Sequence, residues 1–83
     1  MGKEWFVYIL LCGDGSYYTG ITTNVHKRLE THKNGKGAKY TRGRGPLSLL
    51  YVETLANKSE ALKREYRIKR LTKKKKTDLI NGI

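Results

Sequence analysis

The chain has 83 residues, and we expect residues 1–83 to form a single domain. A domain of this size buries only about 60% of the surface that its unfolded chain exposes, so its core is small. Eighteen Lys and Arg residues against seven Asp and Glu residues leave a net charge of +11. Such an excess favours a polyanionic partner, and we expect that partner to be nucleic acid, DNA in particular.

The cysteine count and the apolar runs exclude several classes of protein. Cys12 is the single cysteine, so the chain has no internal disulfide and no cysteine-based zinc site. The longest apolar run, Trp5–Cys12, is far shorter than the about 20 residues of a membrane span. It also lacks the small-residue cleavage site of a secretory signal. We therefore expect a cytoplasmic monomer that makes no membrane contact.

Three segments have the pattern of β-strands. Trp5–Cys12 is rich in aromatic and β-branched residues, which predicts a strand buried on both faces. A turn over residues 13–15 follows, and Ser16–Thr22 is predicted to be its hairpin partner. Leu47–Thr54, which comes after Pro46, is predicted to be the third strand.

The first predicted helix follows the hairpin directly. Thr23 or Asn24 can cap its N-terminus, and the helix is expected to run to about Asn34. Val25 and Leu29 lie four residues apart and are expected on its inner face.

Two further helices are predicted after the third strand. Asn57 followed by Glu60 resembles a capping box and predicts a helix to about Leu71. Thr72 can cap a short last helix whose residues 79–80 are apolar and return to the core. The order β-β-α-β-α-α predicts an α+β fold, with a small three-stranded antiparallel sheet flanked by two to three helices.

The hairpin brings two tyrosines to one face of the sheet. A three-residue loop over 13–15 pairs Tyr8 with Gly20 and Leu10 with Tyr18. The two tyrosines are then diagonal neighbours, about 7–8 Å apart, beside a gap left by the glycine. This arrangement is either simple packing of strand tyrosines or a floor for a phosphate or a base.

A carboxylate interrupts the apolar stripe of the second helix. The stripe is predicted to consist of Ala61, Leu62, Tyr66 and Ile68. Glu65 lies inside it, and a bare carboxylate on an inner face is costly. It therefore either ligates a cation or pairs with Lys69 at the i, i+4 spacing.

Two residues of the first helix can serve a phosphate. Arg28 and His32 are four apart, so they project from the same face. Arginine suits bidentate binding of phosphate, and histidine can donate to a phosphate or accept a proton. The alternative is that both lie on a solvated face. His26 is expected at the surface.

Basic residues cluster in two segments. Residues 31–52 contain five Lys or Arg and no acid, whereas residues 63–76 contain nine and a single acid. These segments are candidate nucleic-acid contacts because Lys and Arg neutralise phosphates. The candidates are Lys39, Tyr40, Arg42, Arg44 and Lys69.

These features resemble the GIY-YIG nuclease superfamily. The residues Phe6–Tyr8 and, ten residues on, Tyr18–Gly20 are similar to the two halves of its signature. Arg28, His32 and Glu65 follow at the spacing of the superfamily pattern. Residues 37–46 are similar to a loop of its small single-domain bacterial members, which are related to the nuclease domain of structure-specific endonucleases. Some relatives carry lysine where this chain has Ile21.

The resemblance implies a metal-dependent nuclease that hydrolyses phosphodiester bonds, directed by DNA structure rather than by sequence. Glu65 would hold one Mg²⁺ or Mn²⁺ ion, and Tyr18 would be general base for the attacking water or would place it. Tyr8 would orient water and phosphate, and Arg28 would offset phosphate charge. His32 would assist by hydrogen bonding. A protein partner would supply substrate choice, since many relatives gain it from an attached domain.

Two other classes of protein remain open. A non-catalytic DNA- or RNA-binding protein needs only the basic charge, and it has no use for a carboxylate that faces DNA. A protein adaptor needs an exposed apolar patch, which the sequence does not reveal.

Overall fold

The computed structural model describes residues 4–83, so residues 1–3 of the expected domain lie outside the described part of the chain. It confirms the predicted α+β fold and its β-β-α-β-α-α order. The strands and helices are β1 (Trp5–Leu11), β2 (Tyr17–Thr22), α1 (Val25–Lys33), β3 (Ser48–Leu55), α2 (Lys58–Lys69) and α3 (Lys73–Ile80). A short 3-10 turn, Lys39–Thr41, lies in the loop between α1 and β3.

The three strands form an antiparallel sheet with β1 in the centre and β2 and β3 at its edges. Four successive residues of β1, from Val7 to Leu10, are buried. The prediction that this strand is covered on both faces is therefore confirmed. Because the pairing of β1 with β3 shifts after Ile9, a bulge lies in β3 between Leu49 and Tyr51.

The hairpin has the predicted three-residue loop. The Cys12 amide donates to the Ser16 carbonyl at 2.8 Å, and Gly15 adopts a φ of 85° that favours glycine. Tyr8 consequently pairs with Gly20, and Leu10 pairs with Tyr18. The predicted register is confirmed.

The sheet separates two small cores. On one face, Val7 and Ile9 pack with Ala61 and Ile68 of α2, and Leu79 of α3 joins them. The other face carries the second core. It consists of Tyr8, Leu10, Cys12 and Leu47, with Tyr18 and Leu29 packed against them. Tyr8 and Tyr18 therefore lie on the α1 face of the sheet, whereas Tyr17 lies on the α2 face.

Side-chain caps begin all three helices, as predicted. Asn24 accepts a hydrogen bond from the Lys27 amide at 3.0 Å, and Asn57 accepts one from the Glu60 amide at 2.9 Å. Thr72 accepts the Lys75 amide at 3.2 Å. None of the helices in residues 4–83 is long and apolar enough to cross a membrane.

The predicted apolar stripe of α2 is wrong at two positions. Leu62 and Tyr66 are 46% and 56% exposed, whereas Ala61 and Ile68 are fully buried. Residues 61, 64, 65 and 68 form the inner side of the helix, because they recur at its 3.6-residue period. Two of these are charged, and each has a partner. Arg64 donates to Glu53 at 3.0 Å, which lets its charge lie half-buried against β3.

Candidate active site

Three aromatic rings meet on the α1 face of the hairpin. The ring centroids of Tyr8 and Tyr18 are 6.3 Å apart, and those of Tyr18 and His32 are 5.3 Å apart. His32 is 2% exposed, so it lies in the core and not on the solvated face that was the alternative. Arg28, one turn earlier in α1, lies close enough to Tyr8 to act against the rise in the pKa of that phenol, so its charge adjoins the rings.

The absence of a side chain at Gly20 leaves space for the rings of Tyr8 and Tyr18. A Cβ atom at Gly20 would lie 2.5 Å from the Tyr8 hydroxyl oxygen and 3.1 Å from Cε2 of Tyr18. Carbon atoms do not approach so closely, and both rings are held by packing. A glycine opposite Tyr8 is therefore required by the position of the two tyrosines.

A chain of hydrogen bonds runs through the imidazole. The Tyr8 hydroxyl lies 2.8 Å from Nε2 of His32, and Nδ1 lies 2.9 Å from the Thr41 hydroxyl. Thr41 donates its one hydroxyl proton to the Ala38 carbonyl at 2.9 Å, so it accepts from Nδ1–H. In neutral His32 we accordingly assign Nε2 as the acceptor and Tyr8 as the donor.

Burial keeps the Tyr8 phenol and the His32 imidazole neutral at pH 7. Burial raises the pKa of Tyr8 above 10, Arg28 opposes that rise, and the charges of Tyr18 and Glu65 add to it. Burial, with a contribution from Arg28, lowers the pKa of His32 below 6.5. The pair therefore consists of a phenol and an unprotonated imidazole.

Glu65 reaches the cluster from the other side of the sheet. It lies on the inner side of α2, its side chain is 19% exposed, and its charge acts on Tyr8. Its carboxylate also lies 3.4 Å from the Lys69 ammonium. Of the two alternatives raised by the sequence, the structure shows the pair with Lys69, and the role of Glu65 as a metal ligand stays a prediction.

The donors at this place fit a hydrated Mg²⁺ or Mn²⁺ ion. Within residues 4–83 no three His, Cys, Asp or Glu side chains gather closely enough to hold a metal. A single carboxylate is what Mg²⁺ commonly takes from a protein, with phosphate oxygens and waters as its other ligands. Glu65 would be the protein ligand, and Lys69 would have to release it.

The glycine-rich loop borders the cluster. Tyr40 stacks on Tyr18 with ring centroids 6.0 Å apart, and Arg44 lies 4.3 Å from the centroid of the Tyr40 ring. Arg44 also pairs with Asp14 of the hairpin loop at 2.6 Å. The predicted contacts Tyr40 and Arg44 thus adjoin the site, and Lys69 adjoins it through Glu65. Lys39 and Arg42 are exposed.

Two residues that hold His32 were missed by the sequence analysis. Thr41 is 3% exposed and fixes the orientation of the imidazole. A Cβ atom at Gly37 would overlap the His32 ring. Gly37 and Thr41 lie five and nine residues after His32, in an irregular loop. No helical or strand period in such a loop indicates which side chains meet.

The chain matches the family model described as the GIY-YIG catalytic domain over residues 4–78. This match covers the cluster and every strand. The chain belongs to the GIY-YIG family. The GIY-YIG family is a family of nucleases, so the substrate is nucleic acid.

Named relatives are of similar length. The chain is 56% identical to UPF0213 protein OB0043 of Oceanobacillus iheyensis, over 96% of this chain and 93% of that protein. It is 58% identical to UPF0213 protein CPE1444 of Clostridium perfringens, over 93% and 83%. The expected kinship with small bacterial GIY-YIG proteins is confirmed.

Two solution NMR structures share the fold. The UPF0213 protein BH0048 from Bacillus halodurans has a TM-score of 0.61 and 50% identity, over 94% of this chain and 83% of that one. The protein EF2693 from E. faecalis has a TM-score of 0.67 and 41% identity, over 98% and 86%.

Proposed function

We propose that this GIY-YIG protein is a metal-dependent endonuclease that hydrolyses phosphodiester bonds in DNA and selects DNA structure rather than sequence. One observation carries the proposal. A neutral tyrosine–histidine pair lies beside a second tyrosine, and an arginine and a half-buried carboxylate both act on the first tyrosine, although the five residues come from four different elements. These side chains are those of Arg28, Tyr8, His32, Tyr18 and Glu65. A protein that only binds phosphates has no need of the last one.

The residues would divide the work as follows. Arg28 binds the scissile phosphate and offsets the negative charge that builds on its oxygens. Tyr18, which is only half-buried, contacts solvent and places the attacking water. When bound at Glu65, the metal ion would polarise the phosphate and stabilise the leaving oxygen.

The proton of the attacking water needs an acceptor. An ordinary phenol is ionised in about one molecule in a thousand at pH 7, a deficit of about 4 kcal/mol. The hydrogen bond between Tyr8 and His32 favours a route that avoids this deficit. As Tyr8 accepts a proton from water, it passes its own proton to Nε2 of His32, 2.8 Å away. We therefore prefer the Tyr8–His32 pair as the base over Tyr18, for which the resemblance argued.

Substitution of the carboxylate tests the proposal. We expect Glu65→Gln to abolish cleavage of labelled DNA in Mg²⁺ or Mn²⁺ and to leave binding unchanged or slightly stronger. The change removes a metal ligand and a charge that repels DNA at the same time. Glu60→Gln, at an exposed acid that pairs with Lys63 at 3.7 Å, is the matched control and should keep full activity. Cleavage by the Glu65→Gln protein at the wild-type rate would rule out the metal site.

A non-catalytic nucleic-acid-binding protein is the second candidate. The ion pair between Glu65 and Lys69 favours it, because that pair alone satisfies the half-buried carboxylate. Branched, duplex and single-stranded DNA, each incubated with Mg²⁺ and with Mn²⁺, separate the two functions. If the wild-type protein binds all three and cuts none, the binding function is correct.

We further propose that the protein acts as a monomer in the cytoplasm. The match to the catalytic domain spans residues 4–78, which include every residue of the candidate active site. A protein partner would then supply substrate choice.

A further inference from the structure

A cavity of about 300 Å³ opens at the outer edge of β2, next to the candidate active site. Its lining residues are Tyr17, Tyr18, Thr19, Tyr40, Lys69 and Lys76. Three of them are aromatic, two are cationic and none is acidic. Tyr18 also belongs to the catalytic cluster, so the two sites share a wall.

We propose that this cavity, which we call the base pocket, binds one unstacked nucleobase of DNA on a nucleotide beside the scissile phosphate. The inference rests on the proposed function, because the shared Tyr18 is what places the phosphate and the base next to each other. The inference specifies the substrate further: the nucleotide next to the cut is unpaired or is extruded from the duplex.

The walls of the base pocket are suited to stacking. Tyr18 and Tyr40 lie within 28° of parallel, and Tyr40 remains 41% exposed beside the cavity. Aromatic side chains stack on any base and contribute about 1–3 kcal/mol per base. The part of the Tyr40 ring that Tyr18 and Arg44 leave exposed borders the cavity, and it is surface that a base would cover.

Contacts outside the pocket hold its aromatic walls in place. The Tyr17 hydroxyl bonds to the Thr77 hydroxyl at 2.9 Å, and the Lys73 ammonium lies 5.4 Å from the centroid of the Tyr17 ring. Tyr40 is held by Arg44, which is itself paired with Asp14. Walls fixed in advance lose little entropy when a base enters.

Charge and size define the ligand further. Lys69 and Lys76 line the same cavity, where they can neutralise the phosphates on either side of the bound nucleotide. The cavity, of about 300 Å³, is large enough for one base. A nucleotide within an intact duplex must therefore leave the stack to enter, which costs a few kcal/mol, whereas an unpaired nucleotide enters without that cost.

Fluorescence can locate the bound base without any cleavage. The probe is a branched DNA whose junction fixes the binding register, and it carries 2-aminopurine at one position of a single-stranded arm, shifted along that arm from probe to probe. With the Glu65→Gln protein, we expect strong quenching at one position next to the junction and none in the matching unbranched duplex. Replacing that nucleotide by an abasic site should weaken binding about tenfold.

Tyrosine variants connect the signal to the pocket. Tyr40→Leu should remove the quenching and weaken binding about tenfold, and Tyr40→Phe should retain both. Tyr66→Leu is the matched control, because Tyr66 is also exposed and also carries an arginine, Arg70, 5.5 Å from its ring centroid. That variant should behave as the unsubstituted protein does.

The outcomes separate this inference from the proposed function. Quenching at one position together with a wild-type protein that cuts nothing would support the base pocket and overturn the nuclease. Cleavage without a quenched position, or with equal affinity for intact and abasic strands, would overturn the base pocket and leave the nuclease standing. The abasic strands need no substitution in the pocket, so this second result does not depend on how the tyrosine variants fold.

Discussion

At the scale of single residues, His32 is both a core residue and a member of the candidate active site. It is fully enclosed, and its two ring nitrogens bond to Tyr8 and Thr41, so its orientation and its tautomer are both determined by neighbours. Burial and the Arg28 charge lower its pKa, which leaves it able to accept a proton at pH 7. Because His32 is buried, its protonation should lower the free energy of unfolding.

The pH dependence of unfolding should report this burial. Because the pKa of His32 is lower in the folded chain, its contribution is fully present above about pH 6.5 and is lost as the pH falls through the folded value. We expect the free energy of unfolding in urea to fall from about pH 7.5 to about pH 5.5, by at most about 1.4 kcal/mol per pH unit.

Two variants identify the histidine responsible. His32→Gln should be less stable at pH 7 and should lose this part of the pH slope. His26→Gln, at an exposed histidine of the same helix, should keep the wild-type slope. An unchanged slope in the His32→Gln protein would mean that another group titrates.

At the scale of elements, the β1–β2 hairpin determines which side chains share the site. Its three-residue loop sets the register, and the register places Gly20 opposite Tyr8 and puts both tyrosines on the α1 face. A slip of one residue would turn the tyrosines to the α2 face, away from Arg28 and His32. Helix α2 also acts on the hairpin, because the charge of Glu65 adds to the rise in the pKa of Tyr8.

Substitution of Gly20 tests the hairpin. Gly20→Ala places a Cβ atom against the Tyr8 hydroxyl, so we expect a loss of about 1–3 kcal/mol in stability and a large loss of cleavage. Urea unfolding and a cleavage assay measure the two effects. Gly45→Ala is the control, because a Cβ atom there meets nothing within 4 Å. Stability of Gly20→Ala within about 0.5 kcal/mol of wild type would contradict the close approach.

At the scale of the whole molecule, charge and shape determine how the protein meets DNA. The chain measures 37 × 29 × 18 Å, so its long dimension is close to one turn of the double helix, about 34–36 Å. Its net charge of +11 gives a surface of this length enough Lys and Arg residues to neutralise several phosphates.

Salt should therefore weaken binding steeply. If about six phosphates are neutralised, the logarithm of the binding constant should fall against the logarithm of salt concentration with a slope near −5, whatever the DNA sequence. The double substitution Lys39→Gln and Arg42→Gln should reduce the magnitude of that slope by about 2. Lys58→Gln should leave it unchanged, since Lys58 lies about 10 Å along α2 from Glu65. A flat response of the wild-type protein would show that its charge serves another partner.

The sequence by itself determined the local features of this protein. The strands of the hairpin, the length of its turn and the three helix caps each depend on residues within one turn or one hairpin, and all of them are confirmed. The register followed from the hairpin loop for the same reason. The spacing of the family motif also indicated the five side chains that the fold brings together, although the structure leaves their catalytic roles as predictions.

Only the tertiary structure decided what depends on contacts between distant segments. Helical period placed Arg28 and His32 on one face, but only the docking of α1 on the sheet made His32 a core residue. The inner side of α2 was predicted wrongly because the partner of Arg64 comes from β3, eleven residues earlier. The loop that carries Tyr40 has no period at all. Packing against Tyr18 and the pair with Asp14 determine where it lies, since such contacts require the whole chain to be folded.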